Sequence, residues 1–230
     1  MIIQEGFHLK HTPRYLILFL LFFCTSLLHA QGIADVSLGF GTAKDSSNGL
    51  GILSANAPIN AFGSCTPSST NAYCLGDPEL NGLFMGFQGD GMVSKHFGID
   101  GDLTFQPTRP NYGPLTYRQM FFDFNGVYAP ISNKHYILQL LGGIGDARTS
   151  FGFNATSCVG VAVCTTESES VGSSSHFQEH LGAGVEIFLT DHIFVRPEFD
   201  YHHVNGFTSQ FGRDSVLQGM VWIGYNFGAP

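Results

Sequence analysis

The sequence predicts an all-β protein that crosses a membrane as an eight-stranded, antiparallel, up-and-down barrel. Apolar and polar residues alternate in eight separate segments, and this period of two is typical of strands with two different faces. Charged residues make up 12% of the 230 residues and aromatic residues 13%, whereas soluble domains are about 25% charged. Short turns alternate along the chain with long polar connections, as in barrels that span a bilayer.

The pattern of residues 1–30 predicts a cleavable signal peptide. Lys10 and Arg14 precede the apolar residues 15–28, and a small residue, alanine, ends the segment. The apolar run is shorter than the roughly 20 residues that a transmembrane helix needs. The residue two positions before the expected cleavage point is larger than usual, so an uncleaved anchor stays an alternative. We expect residues 31–230 to form one barrel domain.

The first four predicted strands place aliphatic and aromatic side chains on one face and polar or small residues on the other. They cover residues 33–44, 82–94, 98–107 and 116–130, with apolar faces formed by Val36, Leu38 and Phe40, by Leu83, Met85 and Phe87, by Ile99, Leu103 and Phe105, and by Met120, Phe122 and Phe124.

The last four predicted strands repeat this pattern. They cover residues 136–151, 176–190, 193–204 and 215–228, with apolar faces that include Tyr136, Leu138 and Leu140, then Leu181, Ala183 and Val185, then Val195, Pro197 and Phe199, and finally Leu217, Val221 and Ile223. Proline lacks the backbone N–H that a strand donates, so we expect a bulge or a local kink at Pro197.

The connections between strands have two lengths. Short turns lie near residues 95–97, 132–134 and 191–192, and long polar stretches cover residues 45–80, 108–115, 152–175 and 205–214. Outer-membrane barrels have short periplasmic turns and longer extracellular loops. The sequence therefore predicts that all long connections emerge on the outer side.

The composition of the two faces distinguishes a membrane barrel from a soluble one. The apolar face is large, aromatic and almost continuous, whereas the other face carries Gly, Gln, Asn, Asp and Glu. An apolar outer face and a polar interior are typical of a barrel in lipid. The alternative is a secreted, lipocalin-like barrel for a small ligand. Its water-exposed polar face should be richer in Lys, Thr and Ser.

Four cysteines follow the predicted signal peptide: Cys65, Cys74, Cys158 and Cys164. An even number of cysteines in an exported chain indicates disulfide bonds. The members of each pair are close in sequence and lie in polar stretches, so we predict disulfides Cys65–Cys74 and Cys158–Cys164. Free thiols stay an alternative.

The strand "IFVRPEFDYHHV", residues 193–204, places a row of ionisable side chains on its inward face. A tight turn at residues 191–192 would set Glu186 opposite Arg196. We therefore predict a charge network inside the barrel, because buried charges need partners. Its predicted members are Arg196, Glu186, Glu198, Asp200, Asp123 and His202. Eight strands leave just enough interior space for side chains, which excludes a wide pore.

Other uses of these polar residues are weaker hypotheses. Glu198, Asp200, His202 and His180 could share a metal ion, but the sequence favours no metal and no cofactor. A catalytic role would require a nucleophile beside a histidine. His203 has Asn205, not a serine, two residues further along, and the sequence does not place Ser209 or Ser215. We expect no enzymatic activity.

The predicted signal peptide, the eight strands, the "VRPEFDYHH" strand and the closing "VWIGYNFG" strand resemble small outer-membrane β-barrel domain proteins of the OmpA/OmpX type. The resemblance covers essentially all of residues 31–230, although its motifs are patterns and not sharp signatures. It implies an integral barrel in a Gram-negative outer membrane, with structural or adhesive roles, that is inserted by the barrel-insertion machinery. Some eight-stranded barrels instead modify lipid A as acyltransferases or deacylases, which is the enzymatic alternative.

The net charge of the chain and its long loops indicate which binding partners to expect. A formal net charge of −8 argues against nucleic acid. Outer-membrane lipid should surround the apolar face. An extracellular ligand would contact the loops at 45–80 and 152–175, because recognition usually lies in loops on a rigid scaffold. Phe207 and Phe211 are further candidate contacts. In barrels of this type the chain often ends on an aromatic residue, whereas here Phe227 is followed by Gly-Ala-Pro.

Overall fold

In a computed structural model, residues 34–45, 80–112, 115–159, 163–211 and 213–228 are described. The predicted signal peptide and the predicted Cys65–Cys74 disulfide lie outside these ranges. The described residues form nine strands and one short helix: β1 (Ala34–Lys44), β2 (Leu83–Met92), β3 (Phe97–Phe105), β4 (Asn111–Tyr112), β5 (Leu115–Ser132), β6 (Tyr136–Val159), β7 (Val163–Phe188), β8 (Ile193–Val204), α1 (Thr208–Phe211) and β9 (Ser215–Asn226). No helix in these ranges is long and apolar enough to span a bilayer.

Eight of the strands close into an antiparallel barrel, as predicted. Among these eight strands, each pairs with the next one in the chain, so that β3 pairs with β5, and β1 pairs with both β2 and β9. The two-residue strand β4 pairs only with the start of β5. Closure leaves no open edge in the ring, so backbone N–H and C=O groups can all be paired within the membrane.

The two ends of the barrel differ. Short turns at residues 93–96, 133–135 and 189–192 mark one end, which we call the turn end. The other end, the loop end, carries the longer connections, including 205–214 with helix α1. Within the barrel wall, apolar residues point outward and polar residues inward: Phe199 and Leu217 are 76% and 64% exposed, and the neighbouring Asp200 and Gln218 are buried.

The β6–β7 hairpin is much longer than predicted. Residues 152–175 were expected to form a long loop, but β6 and β7 stay paired as far as Val159 opposite Val163. Residues 164–175 are rich in Ser, Thr and Glu and contain one aliphatic residue, Val171, so this side of the hairpin has no apolar face and no hydrophobic alternation signalled a strand there. Cross-strand backbone hydrogen bonds hold a hairpin without such a face. The register sets Cys158 directly opposite Cys164, and the disulfide between them stays a prediction.

Of the bulge or local kink expected at Pro197, the bulge is absent. Gly184 lies opposite Glu198 and Ile187 opposite Val195, so β7 and β8 keep one register on both sides of the proline. Pro197 also stays paired with Val221 on β9. The missing donor therefore interrupts the ladder on one side only, without inserting a residue. A register shift does occur in β5, between Tyr128 and Ile131, where the chain contains a different proline, at position 130.

Apolar side chains fill the interior at both ends of the barrel. The cluster that reaches the loop end, which we call the mouth cluster, consists of Ala43, Leu80, Phe84, Tyr117, Phe121, Ala147, Phe151, Val204, Phe207, Phe211, Val216, Met220 and Trp222. A smaller cluster at the turn end consists of Met92, Val127, Ala129, Ile137 and Leu141, with Phe188 packed against it. A layer of buried polar side chains lies between the two clusters.

Candidate functional site

The polar layer is the candidate functional site, and it contains two groups of side chains. The arginine cluster, near the turn end, consists of Arg196, Asp90, Glu186, Glu198, Gln88 and Gln139. The histidine cluster, nearer the loop end, consists of His180, His202, Asp100, Asp102, Asp123, Asn125, Gln178, Asp200 and Gln218. Both groups arise because alternate residues of each strand point into the lumen.

Arg196 is fully buried and bonded to acids from three strands. Its Nη1 lies 2.9 Å from Asp90 Oδ2 and 3.1 Å from Glu186 Oε1, and its Nε lies 3.3 Å from Glu198 Oε2. Nη1 also donates to Gln139 Oε1 at 2.6 Å, and Nη2 donates to Gln88 Oε1. The guanidinium is therefore surrounded by acceptors, as a buried cation must be.

Neighbouring amides and an indole orient these acids. Gln139 Nε2 donates to Asp90 Oδ2 at 3.1 Å and to Glu186 Oε1 at 2.7 Å. Trp222 Nε1 donates to Glu198 Oε1 at 2.8 Å. Each acid that contacts Arg196 thus has a second partner, which holds the cluster in one geometry.

The structure divides the six predicted network residues between the two clusters. Glu186 and Glu198 contact Arg196, whereas Asp200, Asp123 and His202 lie in the histidine cluster. Asp90 contacts Arg196 but was not among the six. The alternation of residues 82–94 does point Asp90 inward, but only closure of the barrel brings β2 across the lumen from β8.

His180 links β7 to β5 and β8 through both of its ring nitrogens. Asn125 Nδ2 donates to Asp100 Oδ1 at 2.8 Å and to Asp102 Oδ2 at 3.1 Å, so Asn125 Oδ1 is the atom that faces His180 Nδ1 at 2.8 Å. His180 Nε2 lies 3.1 Å from Asp200 Oδ1. With Asp200 ionised both partners are acceptors, so both ring nitrogens then donate and His180 is an imidazolium.

His202 is held by stacking and by one hydrogen bond. Its ring lies 4.7 Å from the ring of Phe121 on one side and 4.7 Å from that of His180 on the other, nearly parallel to both. Its Nε2 lies 3.1 Å from Gln218 Oε1, and its Nδ1 lies 3.6 Å from Asp123 Oδ2. The ring plane and both nitrogen directions are therefore defined.

The described interior carries many more acids than cations. Eight carboxyl side chains are buried in the two clusters and beside them: Asp35, Asp90, Asp100, Asp102, Asp123, Glu186, Glu198 and Asp200. Within the same residues, Arg196 and the His180 imidazolium are the buried cations. Since uncompensated buried charge is very costly, the lumen must hold further positive charge as protons or ions.

On the outer face near the loop end, His203 lies between Glu179 on β7 and Ser215 on β9 in the strand register. Among the described residues no hydrogen bond joins these three side chains. Ser215 Oγ instead lies 3.0 Å from the Tyr201 hydroxyl. The serine–histidine hydrogen bond of an acyl-transfer site is therefore not formed in this structure.

Phe207 and Phe211, expected as exposed contacts, are fully buried in the mouth cluster. Their rings lie 4.6 Å apart, and the Phe211 ring meets Tyr117 edge-on at 5.3 Å. The last connection thus folds into the barrel mouth.

Close by, burial raises the pKa of Asp45, which follows β1 outside the barrel wall, to about 7, and the positive charge of Arg213 partly opposes this shift.

The closed antiparallel barrel and its exposed apolar outer face define a transmembrane β-barrel. The family model "Outer membrane protein beta-barrel domain" matches residues 16–227, and the chain belongs to this family. It is a protein of the Gram-negative outer membrane, surrounded by outer-membrane lipid. The secreted, lipocalin-like alternative is therefore wrong, because a soluble barrel buries its apolar face.

Several solved barrels are similar to the chain. Ail of Yersinia pestis, in complex with the heparin analogue sucrose octasulfate, has a TM-score of 0.48 and 14% identity, over 85% of this chain and 99% of that one. OprG of Pseudomonas aeruginosa has a TM-score of 0.48 and 14% identity, over 87% and 98%. Neisserial surface protein A has a TM-score of 0.47 and 10% identity, over 84% and 95%. No sequence among curated proteins is significantly similar.

Proposed function

We propose that this protein is a filled surface barrel that presents binding elements to the cell exterior and conducts no ions through a wide pore. The observation that carries the proposal is the packing of the lumen. Trp222 on β9, Arg196 on β8 and Tyr117 on β5 are each at most 1% exposed, so strands on different sides of the wall all fill the lumen. An eight-stranded barrel has just enough room for such side chains.

An ion crossing the lumen would have to pass three layers that side chains fill. Aromatic side chains of the mouth cluster fill the loop end, the arginine and histidine clusters fill the middle, and Met92, Ile137 and Leu141 fill the turn end. Planar-bilayer recordings test this point. The purified barrel should give no stable conductance steps, whereas steps in most insertions would overturn the proposal.

The binding elements are proposed to be the loop at 45–80 and the end of the β6–β7 hairpin. β5 pairs with β6 only as far as Gly152, so residues 153–159 pair with β7 alone. Seven strand residues extend about 23 Å. A hairpin of that length would project beyond the wall into the surroundings of the cell.

Separate deletions test the surface role. One variant replaces residues 153–169 with a short turn, and a second replaces residues 46–79. Both should still fold as heat-modifiable barrels, and at least one should lose attachment of expressing cells to host-cell or matrix surfaces. Unchanged attachment in both folded variants would leave only a structural role for the barrel.

The proposal includes no catalysis. Ser215 is hydrogen-bonded to Tyr201 and not to His203, so the nucleophile lacks its base in this structure. Mass spectrometry of lipid A from expressing cells tests this. The lipid A profile should equal that of cells without the protein, and loss or gain of an acyl chain would favour the enzymatic alternative.

A further inference from the structure

Two neighbouring arginines at the loop end have buried N–H groups without a partner. Arg118 on β5 lies between Tyr117 and Gln119, which are fully buried, so its own side chain points outward. Arg109 precedes Pro110, whose C=O accepts from Tyr117 N at 3.0 Å, so the chain brings Arg109 alongside Arg118. Among the described residues, no hydrogen-bond partner lies near the buried Arg109 Nη1 or the buried Arg118 Nε. Such groups need an acceptor, and because both arginines as a whole are half-buried, an acceptor can reach them from outside the wall.

A third arginine, Arg148 on β6, points to the same outer side. Both of its neighbours in the strand are fully buried, whereas Arg148 is exposed. Arg118 is opposite Ser150 in the register of β5 and β6, so Arg148 is its diagonal neighbour. Diagonal neighbours are about 7–8 Å apart, within reach of long side chains. Arg109, Arg118 and Arg148 therefore form one positively charged surface, which we call the outer basic patch.

No ion pair joins the outer basic patch to an acid in the described part of the chain. Asp146 is two residues from Arg148 on the same face of β6, but Arg148 Nη2 donates to Ser173 Oγ, at 3.5 Å, instead. Neighbouring like charges destabilise a sheet. The patch is therefore suited to an anion that offers acceptors to several arginines at once.

The outer basic patch adjoins the lipid-facing surface on its turn-end side. Met120, the next outward residue of β5, is opposite Arg148 on β6 and Phe105 on β3. Phe122 follows on the same face and is 54% exposed. Outer-membrane barrels carry their short turns on the periplasmic side. The patch therefore lies in the outer leaflet, at the edge of the apolar band.

We propose that the outer basic patch binds the phosphate group of an outer-leaflet lipid of the lipid A type, whose acyl chains lie along Met120 and Phe122. Guanidinium groups bind phosphate through paired N–H···O hydrogen bonds. The unpaired N–H groups of Arg109 and Arg118 gain acceptors in this complex. The choice of a lipid rests on the apolar surface beside the patch, because a soluble anion would gain nothing from that surface.

The test measures binding of purified lipid A to the full chain, which is stripped of lipid in urea and refolded in detergent. Native mass spectrometry counts the bound lipids and gives the affinity. The unchanged chain should bind lipid A at least about tenfold more tightly than the same lipid after removal of its phosphates, which is the contribution of one charged hydrogen bond. Equal affinities for the two lipids would overturn the proposal.

Paired variants locate the site. The double variant Arg118→Gln/Arg148→Gln should lose at least about tenfold in affinity for lipid A. Lys95→Gln/Lys134→Gln is the matched control, because it removes the same charge from exposed turns at the turn end and should keep the affinity within about twofold. Equal affinity of the two double variants would contradict the assignment of the site.

Two further measurements separate binding from folding and lipid from free anion. Without lipid A, both double variants should melt within about 3 °C of the unchanged chain, because the replaced side chains lie outside the packed lumen. Inorganic phosphate should bind at least about tenfold more weakly than lipid A, because it has no acyl chains. Equal or tighter binding of inorganic phosphate would assign the patch to a soluble anion and overturn the proposal. If the arginine variant does not fold, the comparison of the two lipids on the unchanged chain still decides the outcome.

Discussion

Arg196 on β8 and Asp90 on β2 meet across the lumen, with Nη1 2.9 Å from Oδ2, although 106 residues separate them in the chain. Strands β9 and β1 lie between them in the wall. The contact therefore exists only after the barrel has closed. It couples the first half of the barrel to the second, and its loss should affect the whole fold.

Replacing Arg196 with Met should strongly destabilise the barrel. The change leaves Asp90, Glu186 and Glu198 without their cation, and breaking a buried ion pair costs about 3–5 kcal/mol. Urea unfolding in detergent, followed by heat-modifiable gel migration, measures this. Arg148→Met is the control, because Arg148 is exposed on β6 and should change stability by less than about 1 kcal/mol. Equal stability of the two variants would contradict the network.

Replacing Gly39 with Ala should destabilise the barrel through a clash with Trp222. The two residues are opposite in the register of β1 and β9, and a Cβ at position 39 would lie within 2.7 Å of three ring carbons of Trp222. Overpacking of this kind costs about 1–3 kcal/mol. Gly91→Ala is the matched control, since no atom lies within 4 Å of its added Cβ. The added substitution Trp222→Leu should recover part of the loss; no recovery would place the cause elsewhere.

Replacing Asp45 with Asn should change how stability depends on pH. Burial raises the pKa of Asp45 from 3.8 to about 7, so the folded state binds its proton more tightly than the unfolded state. Its contribution to stability is present below pH 4 and is lost as pH rises to about 7. The variant should therefore gain stability relative to the unchanged chain above pH 7, by at most about 4 kcal/mol.

Thermal unfolding in detergent between pH 4 and pH 9 measures the effect of Asp45→Asn. Asp191→Asn, in an exposed turn at the turn end, is the control for replacing an acid by its amide on the barrel surface. A constant difference between the Asp45 variant and the unchanged chain at all pH values would contradict the raised pKa.

The cysteine pairing predicts two crosslinked peptides. Cys158 and Cys164 are directly opposite in the β6–β7 register, at the cross-strand spacing where side chains are neighbours. Non-reducing proteolysis and mass spectrometry should find Cys158 joined to Cys164 and Cys65 joined to Cys74. Complete alkylation of all four thiols without prior reduction would contradict both pairings.

The sequence alone determined the strands, their order and the direction of their side chains. The stretch "IFVRPEFDYHHV" shows why: a period of two is a local property, so residues 193–204 could be assigned to one strand with Arg196, Glu198, Asp200 and His202 inward. The turn at 191–192 also predicted that Glu186 and Arg196 would be neighbours, because a hairpin register depends only on nearby residues.

The sequence failed where structure does not depend on hydrophobic alternation. The polar part of the β6–β7 hairpin is held by backbone hydrogen bonds and was predicted as a loop. Phe207 and Phe211 were predicted as exposed contacts, because a connection gives no local sign of turning back into the mouth. Pro197 was predicted to cause a bulge or a local kink, and no bulge forms because the ladder with β9 maintains the register.

Only the tertiary structure decided which inward residues touch. Arg196 contacts Asp90 and not Asp200, and His202 faces Asp123, because closure and strand stagger determine which positions meet across the lumen. These contacts join residues far apart in the chain, so no local pattern predicts them. The strands and their faces follow from the order of residues, whereas the charge clusters follow from the closed barrel.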